Sequence, residues 1–265
     1  MMKGLIRHIP NFLTCMSLLC GFYAVILSFS GNYFGAMLAI FAAAIFDFSD
    51  GLAARLLRAY SDMGKELDSL ADVISFGVAP GMMLFSYFDC LLHSLSWNDS
   101  FFCKLFLLAS FAIPVFSALR LAKFNIDVRQ KTSFIGLPVP AHAMFWSSLI
   151  TVLMSDGAMF NGFFPQLAML LASVSSEIIL VSLSITVVIT SLLLVTEMPM
   201  FSLKVNSLSW KINRLPFLLI ASSVVFVVLF GVVGITLTIL FYIVLSLIAG
   251  IHSCFGKQDT NLRQG

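Results

Sequence analysis

Six of the thirteen acidic residues crowd into the stretch from Asp47 to Asp72. Asp47 and Asp50 stand three apart, Asp68 and Asp72 four apart, so each pair occupies one face of a helix. A short break from Ala59 to Gly64 separates the pairs, which predicts an antiparallel helical hairpin whose acidic faces meet. Four converging carboxylates repel one another unless a cation compensates them. No His or Cys lies among them, and oxygen-only ligands point to a hard ion, Mg²⁺ or Mn²⁺. Four carboxylates suffice for two ions, an arrangement suited to phosphoryl transfer. Gly51, Ala53, Ala54 and Gly64 leave backbone open beside them, where a bulky ligand can approach. Arg55, one turn from Asp50, is a fixed positive charge for a phosphate or pyrophosphate. Asp62 and Glu66 read as solvated loop charges. The competing explanation is a structural ion-pair cluster with Arg55, Arg58 and Lys65.

The elements that must hold these residues are membrane helices. The chain has 265 residues, 60% hydrophobic and 11% charged, with 27 Phe. Soluble domains run nearer 45–50% apolar and about 25% charged, which excludes a soluble globular protein. The same arithmetic excludes disorder and nucleic-acid binding, and a net charge of +2 implies no acidic partner. Apolar runs at 11–29, 33–58, 65–88, 102–124, 138–155, 176–196, 214–231 and 233–252 predict an all-α, polytopic membrane protein of about eight transmembrane helices. The first run exceeds the roughly 7–15 apolar residues of a signal peptide and reads as a span. Segment 160–175 reads as interfacial or re-entrant, and Gly231 and Gly234 place a tight hairpin between the last two runs. The five scattered cysteines read as small hydrophobes. With the N-terminus inside, 14 of the 15 basic residues fall on one side and only Lys104 dissents. Both termini and the acidic pairs are therefore expected to face the cytoplasm.

The run Asp47-Phe-Ser-Asp50-Gly51-Leu-Ala-Ala54-Arg55, then Gly64, Asp68 and Asp72, resembles the signature of the CDP-alcohol phosphatidyltransferases, matching its eight defining positions. That resemblance implies a membrane enzyme with a six-helix core, usually homodimeric, that transfers a phosphatidyl or related group and releases CMP. It implies two divalent ions on Asp47, Asp50, Asp68 and Asp72, with Asp72 also the general base. Gly51, Ala54, Arg55, Ser61 and Gly64 would contact CDP, with Asn11 and Thr14 closing over the nucleotide. On this reading residues 1–200 form the catalytic membrane domain, and 201–265 a helical hairpin with a short cytoplasmic tail.

Four further segments bear on the acceptor alcohol: Ile9 to Thr14, Ser75 to Pro80, Arg120 to Asn125 and Gly136 to Ala141. Together they resemble the serine-accepting branch of the family, with a weaker echo from Met198 to Lys204. That likeness implies CDP-diacylglycerol and L-serine as substrates. Serine carries a carboxylate, and Arg120, Lys123 and Asn125 are the candidate contacts at the depth of the acidic pairs. Lys123 stands where the branch usually has a second Arg, which keeps the charge and loses bidentate geometry. His142 reads as a helix-packing histidine. The alternatives are a phosphorylated acceptor, either glycerol phosphate or inositol phosphate, and, from another class, a divalent-cation transporter.

Overall fold

The computed structural model describes residues 8–95, 101–126, 134–155, 173–200 and 214–262. In chain order the elements are α1 (Ile9–Phe29), α2 (Tyr33–Leu56), α3 (Asp62–Asp72), a π-helical segment (Val73–Val78) and α4 (Ala79–Ser94). Then follow α5 (Phe101–Ala109), α6 (Ala112–Ile126), β1 (Phe134–Ile135), α7 (Val139–Leu153), α8 (Ser176–Val195), β2 (Pro199–Met200), α9 (Arg214–Phe230) and α10 (Val232–Leu262). Among the described residues five helical bodies are long and apolar enough to cross a membrane: Ile9–Phe29, Tyr33–Leu56, Asp62–Ser94, Cys103–Ile126 and Ser176–Val195. Val139–Leu153, Arg214–Phe230 and Val232–Ile248 are apolar but shorter. Phe22, Ile45, Phe48, Ile185 and Val228 point outward, a surface suited to lipid tails rather than water.

Each of the eight apolar runs coincides with a helical body, but two details differ from the sequence reading. The third run begins at Asp62, so Asp62 and Glu66 are helical, although both are exposed as expected of solvated charges. The all-α reading also lacks a small ladder. β1 and β2 pair antiparallel, with Phe134 opposite Met200 and Ile135 opposite Pro199. Gly136 makes this possible at φ +76°, its N–H donating to the Met198 carbonyl at 2.9 Å. A Cβ there would stand 2.6 Å from the Leu194 carbonyl oxygen, so only glycine fits against the end of α8. Segment 160–175 falls largely outside the described residues, as do Arg129, Lys131, Lys204 and Lys211. Among the described residues, Cys15, Cys20, Cys90 and Cys103 form no disulfide.

The turn that faces α3 back onto α2 is built from its caps. The Ala59 N–H donates to the Ala54 carbonyl (3.0 Å) and the Arg58 N–H to that of Arg55 (3.3 Å). This is the Schellman pattern, here with Arg58 rather than glycine in the left-handed position at φ 49°. Ser61 then caps α3, its Oγ accepting from the Gly64 N–H at 3.0 Å. The π-helical segment lies just before Pro80, which cannot donate to the preceding turn, and widening the helix accommodates the lost bond.

Close crossings bring the other helices to this hairpin. Ser75 donates to the Ser17 carbonyl at 2.9 Å, and a Cβ on Gly21 would lie 2.6 Å from Ser75 Oγ and 2.7 Å from Ser75 Cα. Gly21→Ala should therefore force α1 away from the π-helical segment. Overpacking of this kind costs about 1–3 kcal/mol, so the variant should melt lower in detergent. An unchanged melting point would mean that the crossing is looser than described. On the opposite side, a Cβ on Gly77 would stand 3.1 Å from Ser117 Cβ, and one on Gly81 2.8 Å from Pro114 Cδ. This crossing with α6 carries Arg120, one turn beyond Ser117, within electrostatic range of Asp72. A buried hydrogen-bond cluster fixes α7 against α8: Trp146 Nε1 donates to His142 Nε2 (3.0 Å) and to Thr190 Oγ1 (3.2 Å). His142 is fully buried and joins helices.

Candidate active site

At one end of α2 and α3, Asp47, Asp50 and Asp68 bring one carboxylate oxygen each within 4.8 Å of the others. Helical spacing puts Asp47 and Asp50 on one face of α2, and the capped turn places α3 opposite. Asp72 is outside that group. It lies one turn further along α3, within electrostatic range of the other three and of Arg120. Among the described residues no Lys or Arg pairs with any of the four; the ion pairs are Lys123–Glu197 and His93–Asp89. Clustered carboxylates, with Asp50 buried and Asp47 and Asp68 half-buried, and with no basic partner among the described residues, form an oxygen-only donor set that fits a hard divalent cation.

A cleft of about 210 Å³ opens beside these carboxylates, with Asp50 and Asp68 in its wall. Asn11, Thr14, Gly51, Ala54, Ser61 and Gly64, all expected at a nucleotide, line it. Hairpin geometry explains the contribution of α1. The first turn of α1 lies alongside the last turns of α2, and Thr14 Oγ1 donates to Asp50 Oδ2 at 2.6 Å. Asn11 Oδ1 lies 3.0 Å from where a Cβ on Gly64 would be, so a larger residue there would press on it. Arg55 is exposed and does not line the cleft; its Nε donates to the Gly51 carbonyl at 3.1 Å, which keeps the guanidinium at the rim. Tyr60 and Lys65 line the cleft and were missed as ligand contacts. Their sequence signal was position alone, since both sit in or beside the turn between the acidic pairs.

The three residues expected at the acceptor part company. Arg120 is 7% exposed, its guanidinium 5.7 Å from the Phe124 ring centroid, and its Nε has no hydrogen-bond partner. Lys123 points elsewhere, reaching Glu197 Oε1 at 3.2 Å and the Val195 carbonyl at 3.5 Å. That contact ties α6 to the end of α8. Asn125 donates to Ser69 Oγ at 2.9 Å, bridging α6 to α3 between Asp68 and Asp72 in sequence.

Among known proteins, one named CDP-diacylglycerol–serine O-phosphatidyltransferase from Bacillus subtilis is 38% identical over 138 residues, 52% of this chain and 72% of that protein. A Helicobacter pylori protein of the same name is 36% identical over 137 residues, 51% of this chain and 54% of its own length. One from Methanocaldococcus jannaschii is 36% identical over 136 residues, 51% of this chain and 57% of its own length. The chain thus spans little more than half the length of the latter two relatives. The resemblance carried by Asp47 to Asp72 is borne out over a far longer stretch, for residues 7–187 match a single family. With that match extending from before α1 into α8, the chain belongs to the CDP-alcohol phosphatidyltransferase family.

Proposed function

We propose that this protein transfers the phosphatidyl group of CDP-diacylglycerol to L-serine, forming phosphatidylserine and releasing CMP. The observation that carries the serine assignment is Arg120, a buried cation with an open Nε, within electrostatic range of Asp72. The names of the relatives agree with it. Two divalent ions, Mg²⁺ or Mn²⁺, held by Asp47, Asp50, Asp68 and Asp72, would supply positive charge against the pyrophosphate and the departing CMP. Thr14 orients Asp50 through its hydrogen bond. Asn11, Gly51, Ala54, Ser61 and Gly64 shape the nucleotide cleft, and Arg55 meets the pyrophosphate from the rim. Asp72 takes the proton of the serine hydroxyl as its oxygen bonds to phosphorus and the bond to CMP breaks. Arg120 holds the serine carboxylate, with Lys123 and Asn125 fixing the helix that carries it. On this reading the chain makes eight spans, six forming the core within residues 1–200 and two the hairpin of 201–265. Both termini and the site face the cytoplasm, CDP-diacylglycerol keeps its acyl chains among the membrane lipids, and the protein works as a homodimer.

The test is serine-dependent CMP release by the purified protein in detergent with Mn²⁺ or Mg²⁺. Arg120→Ala should raise the KM for serine by roughly 10- to 150-fold, the worth of a charge-assisted hydrogen bond. The KM for CDP-diacylglycerol should hardly move. Ethanolamine lacks the carboxylate, so its poor use should be unaffected by the substitution. Equal losses with both amines would place the serine carboxylate elsewhere, and preference for glycerol phosphate would overturn the acceptor.

A further inference from the structure

We propose that Lys65, in the first turn of α3, holds the phosphate that leaves with CMP. The proposal rests on the reading of the cleft as a nucleotide site and adds to it the cation that the wall itself supplies. Among the described residues, Lys65 is the one basic side chain in that wall, where it stands with Asp50 and Asp68. Arg55, the cation expected there from the sequence, stays outside at the rim.

Asp62 and Asp68 stand three residues to either side of Lys65 on the same helix, a spacing at which a lysine and an aspartate can pair. Neither does so, for the ion pairs among the described residues are Lys123–Glu197 and His93–Asp89. A cation in the first turn also opposes the helix dipole, so its charge does nothing for the stability of α3. The backbone that carries it is nevertheless held on both sides. The Lys65 N–H donates to the Ser61 carbonyl at 3.1 Å, and the Lys65 carbonyl accepts from Ser69 Oγ at 3.2 Å. Ser69 Oγ in turn accepts from Asn125 Nδ2 at 2.9 Å, which ties this part of α3 to α6. An exposed ammonium without an ion-pair partner thus springs from a fixed backbone at the wall of the cleft.

The shape of the ligand decides which phosphate Lys65 meets. CDP-diacylglycerol is an amphiphile, its acyl chains in the membrane and its nucleotide toward water. Helix α3 leads from the turn after α2 toward the apolar α4, so Lys65, Asp68 and Asp72 follow one another in that direction. At 1.5 Å per residue, Lys65 stands about 4.5 Å nearer the turn than Asp68. A step of that length, from the carboxylates toward the nucleotide, leads from the phosphate that stays with the lipid to the one that departs. As the acceptor oxygen bonds to the lipid phosphorus and the bond to CMP breaks, negative charge grows on the CMP phosphate. An ammonium at that point favours the transition state over the ground state.

The experiment titrates wild type, Lys65→Met and Lys65→Arg in detergent with CMP and with cytidine, which lacks the phosphate, at one Mg²⁺ concentration throughout. Lys65→Met keeps the length of the side chain and removes its charge. It should weaken CMP binding roughly 10-fold, the lower end for a charge-assisted hydrogen bond, because the side chain is open to solvent. Cytidine binding, weak from the start, should hardly change. Lys65→Arg keeps the charge and should bind CMP within about threefold of wild type. In turnover, Lys65→Met should lower kcat and leave the KM for serine near wild type. Its melting point should not fall, since no ion pair is lost. Unchanged CMP affinity in Lys65→Met would overturn the role of Lys65 and leave its ammonium to lipid headgroups. Equal losses for CMP and cytidine would also overturn it, by making the side chain part of the shape of the cleft. If wild type bound neither CMP nor cytidine, the nucleotide reading of the cleft would fail, and the role of Lys65 with it.

Discussion

Removing divalent ions with excess chelator should abolish CMP release, and restoring Mn²⁺ or Mg²⁺ should return it. The reason is electrostatic. Three carboxylate oxygens within 4.8 Å of one another repel by about 3 kcal/mol per ionised pair at an effective dielectric constant near 20. No Lys or Arg pairs with them among the described residues. Asp68→Asn and Asp47→Asn should each lose more than the roughly 100-fold typical of removing an outer partner of a metal ligand. A second readout separates ligation from misfolding. Without metal, the Asn variants carry less repulsion and should melt no lower than wild type. Added Mn²⁺ should raise the melting point of wild type, by about 2.7 kcal/mol of stabilisation at a hundred times the dissociation constant, and raise the variants far less. Full activity in excess chelator would remove the metal from the reading altogether.

Asp72→Asn should collapse turnover while nucleotide binding survives. Asp72 neither lines the cleft nor joins the group of three oxygens, yet it lies within electrostatic range of both that group and Arg120. An amide there cannot take the acceptor proton, and loss of a general base costs roughly 10²- to 10⁴-fold in rate. CDP should bind to Asp72→Asn within a few-fold of wild type, as a titration of the purified variant would show. Arg55→Ala is the contrasting case. It removes a rim contact made equally in the ground and transition states, so it should mainly raise the KM for CDP-diacylglycerol and spare kcat. Near-normal turnover in Asp72→Asn would assign the base to another residue.

Much of this was legible without coordinates because it is local. The alternation of apolar runs and polar breaks located every helical body among the described residues, since a helix in lipid satisfies its own backbone and must be apolar along its length. Spacings of three and four placed Asp47 with Asp50 and Asp68 with Asp72, because helical periodicity is a property of one segment. The short turn brought the two pairs together. Even the meeting of Thr14 with Asp50 follows from hairpin arithmetic, as each lies 18 residues from residue 32 at the turn.

What the sequence could not determine depends on how non-consecutive helices cross. Arg120 and Lys123 are one turn apart and look equivalent, yet the α6–π crossing at Gly77 and Ser117 buries one of them, within electrostatic range of Asp72. The end of α8 captures the other through Glu197. The separation of Asp72 from the other three carboxylates likewise depends on how far α3 has advanced past α2, not on its spacing from Asp68. No periodicity links Ser148 to Thr236, 88 residues further along the chain; only the docking of α10 on α7 brings their hydroxyls to 2.8 Å. Residue types and their local period set which chemistry the chain can carry, while close contacts between distant helices decide which side chains share it.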